Sequence, residues 1–174
     1  FDNSVGDGCF YTDDVWVSPS GNNESSDGTV DFPYRTIEAA LDNIAPTADN
    51  PITINLTEGL FSPYTSGEDF PIYMFSNVNL KGQDKNLTKL NAFVSGRVII
   101  MENLSNNIIS DLTIMGGTAH GSGTSDLGGG IYLNNSNPIL RDLIISGNFA
   151  AYGAGMFLVN SQPILDHVLV TYNT

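Results

Sequence analysis

The chain has 174 residues, 41% of them hydrophobic, which is enough for one domain with a real core and too apolar for wholesale disorder. Its nineteen Asp and Glu outnumber its six Lys and Arg, and a net charge of −13 repels phosphate backbones, which excludes nucleic acid as a partner. No apolar run approaches ~18 residues, so the sequence predicts no membrane insertion.

The chain opens on Phe1-Asp2-Asn3-Ser4 without a signal peptide, as expected of a mature or trimmed chain. Cys9 is alone, so any disulfide it makes is with a residue outside this segment. The early acids Asp2, Asp7, Asp13 and Asp14 lack the alternating spacing of a calcium loop. Val15-Trp16-Val17 predicts a strand, and Ser18-Pro19-Ser20-Gly21 a turn. A polar loop follows from Asn22 to Gly28.

Pro33 to Ile44 is the one segment with a helical pattern. Ile37, Ala40, Leu41 and Ile44 make a single apolar stripe, Pro33 suits the first turn and Pro46 stops the run. Such a helix is expected to cover an open first coil and blunt its edge. Ile52 to Leu56 alternates as a strand, and Val78–Gly82, Lys89–Ala92 and Val98–Met101 follow as strands divided by turns.

The second half repeats. The segment from Gly128 to Asn148 aligns with Gly153 to Asn173 at a constant offset of 25, matching Leu133 to Leu158, Pro138 to Pro163 and Leu140 to Leu165. A weaker copy, Ser105 to Ile114, falls on Ser136 to Ile145 at an offset of 31, so six extra residues must lie within Met115 to Leu127. A period near 25 is too short for two helices and suits one coil of a β-solenoid with three short strands and three turns. In Leu143-Ile144-Ile145 the outer two residues are predicted to point inward and Ile144 outward. Asn135/Asn160 and Asn148/Asn173 recur at turn positions, where stacked Asn side chains can form a ladder that bonds the turn backbone.

The run from Val15 to Leu41, with Pro33-Tyr34-Arg35-Thr36-Ile37-Glu38-Ala39-Ala40-Leu41 at its end, resembles the opening of many bacterial pectate-lyase-like β-helix proteins. Glu58 to Ile72 and Val78 to Gln83 are similar to an N-terminal module of unknown function that precedes β-helix repeats in secreted proteins. Gly128-Gly129-Gly130-Ile131 and Ser146-Gly147-Asn148 look like repeats of adhesin-type and polymorphic outer-membrane proteins. The resemblance implies an all-β, right-handed parallel β-helix with an N-terminal capping helix, secreted or displayed at the cell surface. It is specific for fold and not for function, because the family holds lyases, hydrolases, adhesins and proteins of unknown role.

A lyase of this family would need clustered acids holding Ca2+ and an Arg or Lys base. The sequence assigns no cofactor, and Ca2+ is the one candidate. The best cluster is Arg141 and Asp142 with Asp166 and His167 one coil later, where the offset sets Arg141 beside Asp166 and Asp142 beside His167. A hydrolase needs two carboxylates roughly 5 to 10 Å apart, and Asp111 shares the ladder position of Asp142 and His167. A surface ion pair and ordinary turn residues explain the same pattern more simply. His120 and Asp126 in the insertion can form a binding lip over one side of the solenoid.

The expected organisation is a single β-helix domain. Residues 1–60 form the cap and first strands, and 61–174 form coils that stop after Asn173 without a lid, as if the parent protein continued. The preferred function is a non-catalytic adhesive or structural surface module that contacts glycans. The alternative is a carbohydrate-active enzyme, lyase or hydrolase. The partners expected are a polysaccharide, another surface protein or further coils of the parent chain.

Overall fold

Short β-branched runs, each ended by a residue that turns the chain, produce strands of two to five residues in the computed structural model. It describes residues 11–121 and 123–174, so Asp2, Asp7 and Cys9 lie outside the described residues. A first coil has β1 (Val15–Val17) and the helix α1 (Ile37–Asp42). The second has β2 (Ile52–Leu56), β3 (Gly59–Phe61) and β4 (Ile72–Tyr73), and the third β5 (Val78–Lys81), β6 (Thr88–Asn91) and β7 (Ile99–Glu102). The fourth has β8 (Ile108–Ser110), β9 (Thr113–Met115), β10 (Thr118–Ala119) and β11 (Ile131–Asn134). The fifth has β12 (Ile139–Arg141), β13 (Ile144–Ser146), β14 (Phe149–Ala150) and β15 (Met156–Val159), and β16 (Ile164–Asp166) and β17 (Leu169–Thr171) begin a sixth.

Among the described residues every pairing between named strands is parallel and joins one coil to the next. The first sheet runs β1-β2-β5-β8-β12-β16, the second β3-β6-β9-β13-β17 and the third β4-β7-β11-β15, with β10 and β14 as a small fourth face. Ile52 pairs with Val78, Leu80 with Ile109, Ile108 with Ile139 and Ile139 with Ile164, so the repeat runs 26, 29, 31 and 25 residues. The six-residue insertion is confined further than the sequence allowed. Ala119 still pairs with Ala150 at 31, whereas Leu127 bridges Tyr152 at 25, which leaves the excess between them.

The core is three inward ladders. Ile54, Leu80, Ile109 and Leu140 stack on the first sheet, Phe61, Leu90, Ile114 and Ile145 on the second, and Ile72, Ile99 and Ile131 on the third, all buried. Each fully buried aliphatic side chain contributes roughly 1.5–3 kcal/mol. Leu143 and Ile145 point inward and Ile144 outward, as the alternation predicts. The ladders' sixth-coil members, Leu165 and Val170, are 51% and 47% exposed.

The corners rest on left-handed backbone at stacked positions. Asp111, Asp142 and His167 have φ of 60°, 49° and 53° between the first and second sheets, and Asn103, Asn135 and Asn160 have 57°, 48° and 47° after the third. Asn and Asp tolerate this region better than most side chains, and Gly tolerates it freely. Beyond each first corner, the next residue (Leu112, Leu143 or Val168) turns back toward the core.

The Asn column inside the solenoid is hydrogen-bonded throughout. Asn148 is buried; its Nδ2 donates to Asn173 Oδ1 (2.9 Å) and to the Ile114 carbonyl (3.2 Å), and its Oδ1 accepts from Gly117 N (2.8 Å). Asn173 Oδ1 also accepts from Asn148 N (3.0 Å), and Asn173 Nδ2 donates to the Ile145 carbonyl (2.9 Å). At the outer corner, Asn135 Nδ2 donates to Asn103 Oδ1 (3.2 Å).

The helix is shorter than Pro33 to Ile44. Tyr34 is taken up by a parallel bridge to Val17, so Pro33 precedes the helix and Thr36 caps it, accepting from Ala39 N (3.2 Å). Ile37, Ala40 and Leu41 still pack into the core as a cap over the first coil.

Asn148→Ala strands the Gly117 N–H and the Ile114 carbonyl in the interior and should cost about 2–4 kcal/mol. Asn135→Ala, at an exposed corner, should cost about 1 kcal/mol from its left-handed backbone. Urea unfolding midpoints of the two variants test this, and equal shifts would show that the inner Asn column carries no special share.

Candidate functional site

Two concave regions stand out, one on the first sheet and one beneath the cap. On the first sheet's outer face, register aligns Trp16, Asn55, Lys81, Ser110, Arg141 and Asp166 in a single column across six strands. At its upper end Trp16, Asn55, Lys81, Gly82 and Gln83 line an open groove of about 420 Å³. The loop after β5 then folds over the corner to the second sheet. Gly82 N donates to the Ser110 carbonyl (2.9 Å), and the Thr113 hydroxyl donates to the Lys85 carbonyl (2.5 Å). A Cβ on Gly82 would stand 2.2 Å from the Asp111 carbonyl oxygen, so this close crossing requires glycine.

The candidate acids and bases gather at the same corner. Arg141 Nε lies 3.0 Å from Asp166 Oδ2, His167 Nδ1 lies 2.8 Å from Asp166 Oδ1, and Lys85 Nζ lies 3.5 Å from Asp142 Oδ1. His167 therefore meets Asp166, its neighbour in sequence, and Asp142 meets Lys85 from a loop 57 residues upstream. Asp111 occupies the matching corner one coil earlier, partly buried under that loop. Lys81, Lys85, Lys89 and Arg141, four of the chain's six cations, surround this corner. These surface pairs are worth about 0–1 kcal/mol each.

His120 and Asp126 are elsewhere, in the connection from β10 to β11, so the structure does not bring them to the corner cluster. His120 is exposed, and the Asp126 carbonyl accepts from Tyr152 N (3.3 Å) at the end of a 3-10 turn, Gly123–Asp126. Beside the turn, Arg97 donates to the Leu127 carbonyl (2.7 Å) and lies 5.1 Å from the Tyr132 ring centroid, which holds the insertion against the third sheet. Among the described residues no three His, Cys, Asp or Glu side chains are grouped to hold a metal ion.

The second region is a cleft of about 250 Å³ between α1 and β4, lined by Glu38, Asp42, Glu68, Asp69, Tyr73 and Phe75 among others. Glu68 is fully buried, and its carboxylate accepts from Ile37 N (2.8 Å) and Glu38 N (3.3 Å), the first two amides of the cap helix. Sequence reasoning missed Glu68. Its partners lie about thirty residues upstream, and no local pattern marks it.

Residues 19–98 match the model of a family described as a protein of unknown function, DUF1565. They fall on the cap and the first coils, the segment whose residues resemble an N-terminal module. No curated protein sequence matches the chain. Among solved structures, pectin methylesterase PemA from Erwinia chrysanthemi superposes with a TM-score of 0.50 at 16% identity, over 90% of this chain and 53% of that one. The chain has the fold of a right-handed parallel β-helix. It spans about half the length of that enzyme, and identity this low carries the fold alone.

In this β-helix the cap is fastened by one buried carboxylate. Burial pushes Glu68 up to about 7 from 4.5, against the two backbone donors that pull it down, and nearby Glu38 and Asp69 add to the rise. The folded chain therefore keeps a proton between about pH 4.5 and 7 that the unfolded chain releases. The resulting stabilisation is complete below 4.5 and is lost as the pH rises through 7. Glu68→Gln keeps an acceptor and removes the charge, so wild type should lose about 2–3 kcal/mol relative to this variant from about pH 5 to 8. Glu68→Ala should be destabilised at every pH by about 1–3 kcal/mol, through the unpaired Ile37 amide. Parallel pH dependences for wild type and Glu68→Gln, in denaturant titrations, would contradict this account.

Proposed function

We propose that this chain is a non-catalytic, extracellular or cell-surface β-helix module, adhesive or structural, that contacts glycans across the outer face of its first sheet. The observation that carries the reading is the column from Trp16 to Asp166 with the groove at its upper end. Strands about 4.8 Å apart set one side chain per coil along the solenoid axis; Ser110 is buried, so the accessible stretch is the one from Trp16 through Asn55 to Lys81, suited to a short run of hydroxylated rings. Trp16 offers a flat apolar face to a sugar ring, and Asn55, Lys81 and Gln83 offer donors and acceptors around it. The shared fold with a pectin methylesterase supports a carbohydrate ligand. The engagement of Asp166 with Arg141 and His167, and of Asp142 with Lys85, supports a structural duty for those acids.

The second reading, a lyase or hydrolase, rests on Asp111 and Asp142, which occupy the same corner in successive coils. One panel separates the two. Neutral and uronate oligosaccharides are titrated calorimetrically against the chain with and without Ca2+, and the mixtures are monitored for ultraviolet absorbance of unsaturated product and for new reducing ends. The expected result is binding without turnover, weakened about tenfold by Trp16→Ala or Lys81→Ala, which corresponds to about 1.4 kcal/mol. Turnover would replace the reading with the enzymatic one, and undiminished binding in both folded variants would remove the groove from it.

A further inference from the structure

Fastening the helix uses only the buried floor of the cleft between α1 and β4. Its walls and rim are left over. Tyr73 and Phe75 stand two residues apart with buried Met74 between them, so both rings lie on the outer face, about 7 Å apart along the chain. They are 59% and 45% exposed. Glu38 and Asp42 face them from one side of the helix at an i, i+4 spacing, and Asp69 adds a third exposed carboxylate. Among the described residues no Lys, Arg or His lines the cleft. None of the ion pairs among the described residues engages Glu38, Asp42, Glu68 or Asp69. Like charges at i, i+4 repel within the helix, and the first turn of α1 already faces the carboxylate of Glu68.

We propose that this cleft is a binding site for an organic cation, an ammonium group seated against Tyr73 and Phe75 and countered by Glu38, Asp42 and Asp69. Aromatic faces carry the negative end of the ring quadrupole, so two exposed rings beside three unpaired carboxylates attract a positive charge on an apolar body from both sides. The field rejects an anion. A bare metal ion is disfavoured, since no three of these acids are grouped to close around one. A neutral ligand would cover the carboxylates without relieving their repulsion. Size narrows the class further. At about 250 Å³ the cleft is below the usual range for drug-sized ligands and takes one amino-sugar ring or one alkylammonium head.

The intact chain is titrated, by calorimetry and by amide chemical-shift mapping, with three probes at about pH 6, where amines are charged. The probes are a glucosamine oligosaccharide, its N-acetylated counterpart and tetramethylammonium chloride. Both cations should bind and shift the amides of α1 and β4, with the N-acetylated sugar at least tenfold weaker than the amine. If the amino sugar binds more tightly than tetramethylammonium, the source is a sugar; the reverse order indicates a simple alkylammonium. The double variant Tyr73→Ala/Phe75→Ala, at two exposed positions, should weaken binding at least tenfold with an unchanged melting midpoint. Glu38→Gln/Asp42→Asn should weaken it and flatten its salt dependence. Trp16→Ala and Lys81→Ala should leave it untouched, which separates this site from the first-sheet groove. Equal affinity for the N-acetylated sugar, no loss in either double variant, or no binding of either cation would overturn the proposal.

Discussion

A solenoid coil has to change direction three times in about 25 residues, and nearly everything in this molecule follows from how it turns. The corner between the first and second sheets is made by one residue in left-handed backbone, stacked over its counterpart in the next coil at Asp111, Asp142 and His167. A single-residue corner keeps the flanking strands in register and sends the next side chain straight back into the core, where Leu112 and Leu143 lie fully buried. Because each coil contacts only its neighbours, a corner that slipped by one residue would exchange inward for outward side chains along a whole strand. Gly82 shows how little room remains, since any side chain there would run into the Asp111 backbone.

The same constraint colours the candidate chemistry. Asp is one of the few side chains that accept left-handed backbone, so acids recur at a corner for steric reasons before any catalytic one. Once there, they meet the cations that adjacent coils and the β5–β6 loop carry to the same edge, and Lys85–Asp142 and Arg141–Asp166 form. Each of these acids is partly exposed and held by a cation, the arrangement of an ordinary surface ion pair. Glu68 is the contrast: buried, bonded to helix amides and raised to about 7. The buried carboxyl whose pKa is raised to about 7 therefore lies under the cap and not at the corner that the repeat pointed to.

Legibility in the sequence tracked regularity. The 25-residue offset between Gly128 and Asn173 exposed the solenoid because two coils there have equal corners, and the register of β12 with β16 and of β13 with β17 follows that offset. Upstream the repeat drifts through 26, 29 and 31 residues, and loops of unequal length hide the period. The strands Gly59–Phe61 and Ile72–Tyr73 are too short to show alternation, so they passed as a connecting run. The helix was visible from its stripe, but its start was misplaced because Tyr34 spends its backbone on Val17, a tertiary bond invisible to local pattern. Glu68 and the Tyr73/Phe75 pair escaped for the same reason: the cleft exists only once α1 is laid over coils that the chain has not yet made.

Net charge was the weakest guide. A value of −13 argues against anionic ligands if the charge is spread evenly. The fold does not spread it. Four of the six cations converge on one corner of the solenoid, while the cleft under the helix is lined by four carboxylates and no base. Exposed charges beyond about 8–10 Å are largely screened at physiological salt, so a ligand meets the few side chains within that radius and not the sum over the chain. The solenoid thus carries a corner where cations and acids pair and, at its capped end, a cleft lined by acids and aromatic rings. Which side chains meet at each surface is set by which coil delivers them, and therefore by the corners that fix the register.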